Sequence, residues 1–114
     1  KSTADARKDF PNADVLLNFA SFRTAYDVTM EAVEIGGFKT IMVTAEGIPE
    51  RLARVMNQTA RDKDIVIIGP ATVGGIAPGA FKIANVGGTI ENIINSKLHR
   101  CGSCGLITRS GGLF

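Results

Sequence analysis

The sequence predicts an α/β fold of Rossmann-like, doubly wound type, with a mainly parallel sheet and helices on both faces. Three observations carry that expectation. Short runs dominated by apolar residues, 14–19, 39–44 and 65–68, alternate with stretches of helical periodicity. The links between them are brief, so each helix acts as a crossover between parallel strands of right-handed connection. The runs are apolar at nearly every position rather than at alternate ones, as in strands covered on both sides.

Taken in order, residues 3–10, TADARKDF, favour a helix with a Ser/Thr start for its cap, and Pro11-Asn12 ends it. DVLLNF, 14–19, is the first strand. From Phe22 to Glu34, Ala25, Val28, Ala32 and Ile35 share a face, with Tyr26, Met30 and Val33 beside it. That is a helix, and Gly36-Gly37 stops it. KTIMVT, 39–44, is the second strand, rich in β-branched residues. Pro49 opens the next helix, where its missing N–H costs nothing. This helix runs to about Arg61 with Leu52, Val55, Met56 and Thr59 on one side. IVII, 65–68, is the third strand. A Gly- and Pro-rich loop follows, then a helical turn or two over 89–96. CGLIT, 104–108, reads as one more strand.

Composition narrows the class. A chain of 114 residues, 45% hydrophobic, can bury a real core and is not disordered. A net charge of +2 without a Lys/Arg cluster argues against nucleic acid. No apolar run approaches the ~20 residues of a membrane span. The polar start is not a signal peptide. With two cysteines and no secretory signal, the expected compartment is the cytoplasm. The absence of an initiator Met and the ending at Gly111-Gly112-Leu113-Phe114 predict a fragment truncated at both ends, lacking the element before its first helix.

The loop Gly69–Gly88, GPATVGGIAPGAFKIANVGG, organises the rest. Val73, Ile76, Phe81, Ile83 and Val86 sit between its glycines, so it packs and holds a fixed shape. It leaves a strand at the carboxyl edge, where open α/β sheets bind ligands. Its sequence resembles the ATP-citrate lyases, in the region related to the α subunit of succinyl-CoA synthetases. The resemblance continues in Asn18-Phe19-Ala20-Ser21, Arg23-Thr24-Ala25-Tyr26-Asp27, Ala45-Glu46-Gly47-Ile48-Pro49, Ser96-Lys97-Leu98 and Arg109-Ser110-Gly111-Gly112. It spans about Asp14 to Leu113, and ordered motifs at matching spacing are far more specific than one Gly-rich match. Phe-Ala-Ser after Asn18 and Ala71-Thr72-Val73 both follow the citrate-processing branch. Succinyl-CoA synthetases carry a Pro-containing sequence at the first position and Asn-Cys-Pro at the second.

The resemblance implies the site residues. Asn18, Phe19, Ala20, Ser21, Thr44, Ala45, Glu46, Ala71 and Thr72 would form the CoA pocket, with Glu46 catalytic, near the reacting acyl group. On spacing alone Glu46 is a helix-entry carboxylate favoured by the dipole, and Ser21 a cap in an ordinary turn. Ser110, Gly111 and Gly112 would open a helix facing a phosphorylated histidine and cradle the phosphoryl group; from four residues alone, a flexible turn capped by Ser110 is the simpler reading. Cys101-x-x-Cys104 with His99 lacks the ligands of a zinc site and precedes rather than follows a strand. The cysteines read as incidental, His99 as solvated, and no metal site is expected.

For the whole enzyme the resemblance implies conversion of citrate, CoA and ATP to acetyl-CoA, oxaloacetate, ADP and phosphate, through phosphohistidine, citryl phosphate and citryl-CoA. ATP and Mg would bind outside this segment, on an ATP-grasp domain or subunit, and the phosphohistidine loop lies downstream. A homo-oligomer is expected, with no nucleic-acid or membrane partner. Residues 1–100 would be part of a CoA-binding Rossmann-like domain. Residues 101–114 would be the first strand and phosphate turn of a following flavodoxin-like ligase domain. Alone, the fragment is expected to be inactive. A citryl-CoA synthetase or succinyl-CoA synthetase-like subunit, or a non-catalytic CoA- or nucleotide-binding module, remains as an alternative.

Overall fold

The computed structural model describes residues 2–110. It divides into two compact units, Lys1–Thr72 and Val73–Phe114. In the first, helix α1 spans Thr3–Asp9. Ser2 caps it through a reciprocal pair: Asp5 N donates to Ser2 Oγ at 3.1 Å, and Ser2 N to Asp5 Oδ2 at 2.9 Å. Arg7 ties α1 to the following chain, donating to Ala13 O at 2.6 Å and lying 5.2 Å from the centre of the Phe38 ring.

Strand β1 (Val15–Asn18), helix α2 (Ala25–Ile35), strand β2 (Thr40–Val43), helix α3 (Glu50–Asp62) and strand β3 (Val66–Ile68) then alternate as the sequence predicts. The strands are parallel in the order β1-β2-β3, with Asn18 opposite Val43 and Met42 opposite Ile68. Two right-handed crossovers advancing in the same direction place α2 and α3 on one face. There they pack against each other, and Lys63 Nζ donates to Val33 O at 3.1 Å. Ala25, Val33, Ile41, Val43, Met56 and Ile65 form the centre of the core beneath them. On α3 the buried stripe runs through Met56 and Ala60, whereas Val55 points outward at 42% exposure. Helices were expected on both faces; α2 and α3 lie on one. Val15, Leu17 and Val66, 45%, 44% and 58% exposed, alternate with the core-facing positions and turn to the other side. The fold class is the expected one, an α/β Rossmann-like arrangement.

The second unit holds a feature absent from the sequence-based expectation. Within the Gly-rich loop, β4 (Gly75–Ala77) and β5 (Phe81–Ile83) form an antiparallel hairpin, closed by Pro78-Gly79-Ala80. Gly74 has φ +98°, and a Cβ there would collide with Ile83 O, so no other residue fits the entry to this hairpin. Val86, 3% exposed, donates its N–H to Val73 O at 2.8 Å and closes the loop's base. Helix α4 (Ile90–Asn95) follows, with Thr89 Oγ1 accepting from Asn92 N at 3.2 Å. The expected strand at 104–108 does not form. Leu106 and Ile107 are 67% and 99% exposed, and no partner strand pairs with this segment among the described residues. An apolar run without a ladder partner leaves its backbone to solvent. No described helix is long and apolar enough to cross a membrane.

Candidate functional site

Three turns leave the carboxyl ends of β1, β2 and β3, and backbone hydrogen bonds sew them together. Asn18 O accepts from both Thr44 N and Thr44 Oγ1, each at 3.1 Å. Ala45 O accepts from Ala71 N at 2.9 Å. The residues predicted from Asn18 to Thr72 therefore converge on one edge of the sheet, as the rule for open α/β sheets anticipates.

The first turn is built on Asn18, which is 3% exposed. Its Nδ2 donates to Ala25 O at 2.9 Å and to Thr29 Oγ1 at 3.0 Å, and its Oδ1 accepts from Ala20 N at 2.9 Å. This side chain is spent on holding the turn, so Asn18 shapes the path of Phe19-Ala20-Ser21 from behind. Phe19 and Phe22 stand out at 55% and 52% exposure, and the Arg23 guanidinium lies 5.6 Å from the Phe22 ring centre. Ser21 does not cap α2; Thr24 is the N-cap, while Ser21 O accepts from Thr24 N and Ala25 N.

The second turn carries Glu46. Ala45 before it is buried, whereas Glu46 is exposed and enters none of the ion pairs among the described residues. Pro49 caps α3, its carbonyl accepting from Leu52 N and Ala53 N. The carboxylate of Glu46 thus stands in solvent at the crevice, open to a ligand.

The third turn begins at Gly69, φ +105°, joined to Pro70 by a cis bond. A Cβ on Gly69 would strike Val43 O and come within 3.2 Å of Thr72 Cγ2. Ala71 also has positive φ, +59°, which orients its N–H onto Ala45. The third turn lies this close to the second only because residue 69 lacks a side chain.

An open cavity of 280 Å³ lies at the opposite edge, lined by Asn57, Arg61, Asp64 and Ile65–Ile67; it contains none of the predicted site residues. In the second unit, Ser110 is exposed, and its N–H donates to Thr108 Oγ1 at 3.1 Å. Gly111 and Gly112 lie outside the described residues. Cys101 and Cys104 are free and exposed, Cys101 Sγ donating to Pro78 O at 3.3 Å. Among the described residues no group of three or more His, Cys, Asp and Glu is placed to hold a metal ion. Sequence reasoning missed Thr29, a polar residue wholly buried on the core side of α2; hydrophobic periodicity gives no sign of it.

No family model matches the sequence. The chain is 55% identical over 113 residues to the ATP-citrate synthase of Bos taurus, covering 99% of this chain and 10% of that protein. It is 50% identical to the probable ATP-citrate synthase subunit 1 of Schizosaccharomyces pombe, covering 18% of it. Among solved structures, the ATP citrate lyase of Methanothrix soehngenii, in complex with citrate and coenzyme A, matches with a TM-score of 0.92 at 52% identity, over 99% of this chain and 18% of that one. A Methanosaeta concilii ATP citrate lyase variant in complex with (3S)-citryl-CoA matches equally well. The chain spans between a tenth and a fifth of the length of these relatives. Over nearly its whole length the chain is thus similar, in sequence and in fold, to a segment of the ATP-citrate synthases, or ATP citrate lyases.

Proposed function

We propose that this chain forms part of the CoA-binding domain of an ATP-citrate lyase located in the cytoplasm. The whole enzyme would convert citrate, CoA and ATP to acetyl-CoA, oxaloacetate, ADP and phosphate, through a phosphohistidine, citryl phosphate and citryl-CoA. The observation that supports this best is the convergence of the three carboxyl-edge turns, in a chain 52% identical to a structure holding citrate and CoA.

In this reading Phe19, Ala20 and Ser21, set by Asn18, form one wall of the CoA pocket. Thr44 and Ala45 form its floor, with Ala71 and Thr72 opposite. Among the residues assigned to it, Glu46 is the one charged side chain, and its carboxylate suits a thiol end better than a phosphate. Glu46 would orient the CoA thiol, or take its proton, as sulfur attacks the acyl carbon of citryl phosphate and phosphate leaves. Ser110, Gly111 and Gly112 would cradle the phosphoryl group in transit, opening the ligase domain that residues 101–114 would begin. ATP with its Mg, the ATP-grasp domain, the phosphohistidine loop and the contacts of a homo-oligomer would come from outside this chain.

The test uses the longer protein in which the chain is proposed to sit. Glu46→Gln is expected to abolish most citryl-CoA formation while ATP still phosphorylates the enzyme. Normal citryl-CoA formation by that variant overturns the role of Glu46. Gly111→Val is expected to weaken labelling of the histidine by ATP, and unchanged labelling removes the phosphoryl cradle.

A further inference from the structure

We infer that Thr29, which takes no part in the proposed chemistry, is a positioning residue for the Phe19–Ser21 wall and acts on it through Asn18. This rests on the reading of that wall as part of a CoA site.

Among the described residues, Asn18 and Thr29 are the buried polar ones, 3% and 0% exposed. Thr29 Oγ1 spends its proton on Ala25 O at 2.8 Å, one helical turn back. Its lone pairs then face Asn18 and accept one N–H of the amide at 3.0 Å. The second N–H of that amide goes to Ala25 O at 2.9 Å. Both donors therefore point at α2, and the amide oxygen must point at the turn, where it accepts from Ala20 N at 2.9 Å. A flipped amide would set its oxygen against Ala25 O and Thr29 Oγ1, whose proton is already committed, and its NH₂ against Ala20 N–H. Ala25 O and the Ala20 N–H fix the sense of the amide, and the Thr29 hydroxyl, by taking its remaining N–H, holds it in place and with it the path of Phe19-Ala20-Ser21. Buried groups of this kind are seldom left unpaired. A hydroxyl one turn into a helix is linked to the rim of the crevice by two consecutive hydrogen bonds.

The experiment compares Thr29→Val, which keeps the shape and removes the hydroxyl, with Thr29→Ser, which keeps the hydroxyl and removes a methyl. Both are made in the longer protein. Hydrogen–deuterium exchange of the peptide containing Ala20 reports on the turn without any ligand, and calorimetric titration with CoA reports on the site. Valine strands one buried N–H, so exchange is expected to quicken and CoA affinity to fall about tenfold. Serine is expected to leave both near the parent values, although it leaves a small cavity and lowers the melting temperature as well. A role confined to stability would move affinity with melting temperature in both variants alike. Unchanged exchange in the Val variant overturns the inference whatever CoA does. Quickened exchange with unchanged CoA affinity overturns it too, since the turn's order would then not govern the ligand. A parent protein that fails to bind CoA overturns instead the reading on which it rests.

Discussion

Gly69→Ala is the substitution to which the crevice should be most sensitive. Residue 69 has φ +105°, a conformation that a Cβ makes costly by ~1–2 kcal/mol. The new methyl would also strike Val43 O, a backbone atom of the central strand that cannot swing aside. The third turn must retreat, and the first bond to go is Ala71 N to Ala45 O, at 2.9 Å, with a net value of ~0.5–1.5 kcal/mol. Together the loss is about 1.5–3.5 kcal/mol. Urea denaturation of the 114-residue chain, followed by circular dichroism, is the assay; with an m-value of ~1.5 kcal/mol per molar, the midpoint should fall by roughly 1–2 M. Gly102→Ala serves as the control. A Cβ there meets nothing within 4 Å, and the change should stay within ~0.5 kcal/mol. Equal midpoints for the two variants would refute the argument that the third turn is held against β2 by close backbone approach.

The other expectations are more local. Met56→Ala removes a side chain with 0% exposure from the α3 stripe and should cost ~2–5 kcal/mol in the same denaturation experiment. Glu46→Gln, at an exposed turn position, should leave the midpoint within ~0.5 kcal/mol of the parent, separating its proposed chemical role from folding. Hydrogen bonds from the Ser2 backbone and then its hydroxyl hold the Asp5 carboxyl below the usual carboxylate value. The folded state therefore favours ionised Asp5, and this contribution is present above the unfolded carboxylate value and lost as pH falls through the folded one. Amide exchange across α1 should accelerate in acid through that range, and Ser2→Ala should reduce the effect.

Much of the fold was legible because two signals agreed. Apolar runs located β1, β2 and β3, and helical spacing between them located α2 and α3, so topology followed from connection length alone. The edge carrying Glu46 followed from the same reasoning, since the motif leaves β2 at its carboxyl end. The hairpin β4–β5 escaped because Gly74, Gly75, Pro78 and Gly79 read as loop punctuation. Yet Pro78-Gly79-Ala80 between Ile76 and Phe81 is a turn flanked by strand formers, and a shorter window would have revealed it. CGLIT misled in the opposite sense: local propensity suggested a strand, but a strand exists only with a partner, and no sequence pattern states whether one is present. The Asn18–Thr29 pair was invisible for a related reason. A buried polar residue is stabilised by the partner it meets, and residues 11 apart give no local sign of meeting.

The central claim is that the turns after β1, β2 and β3 together hold the thiol end of CoA. It is tested most directly by solving the structure of the longer protein with CoA bound. The account predicts that the CoA sulfur lies beside Glu46, with the pantetheine arm against Phe19–Ser21 and Ala71–Thr72. A CoA molecule bound with its thiol away from these three turns would contradict it.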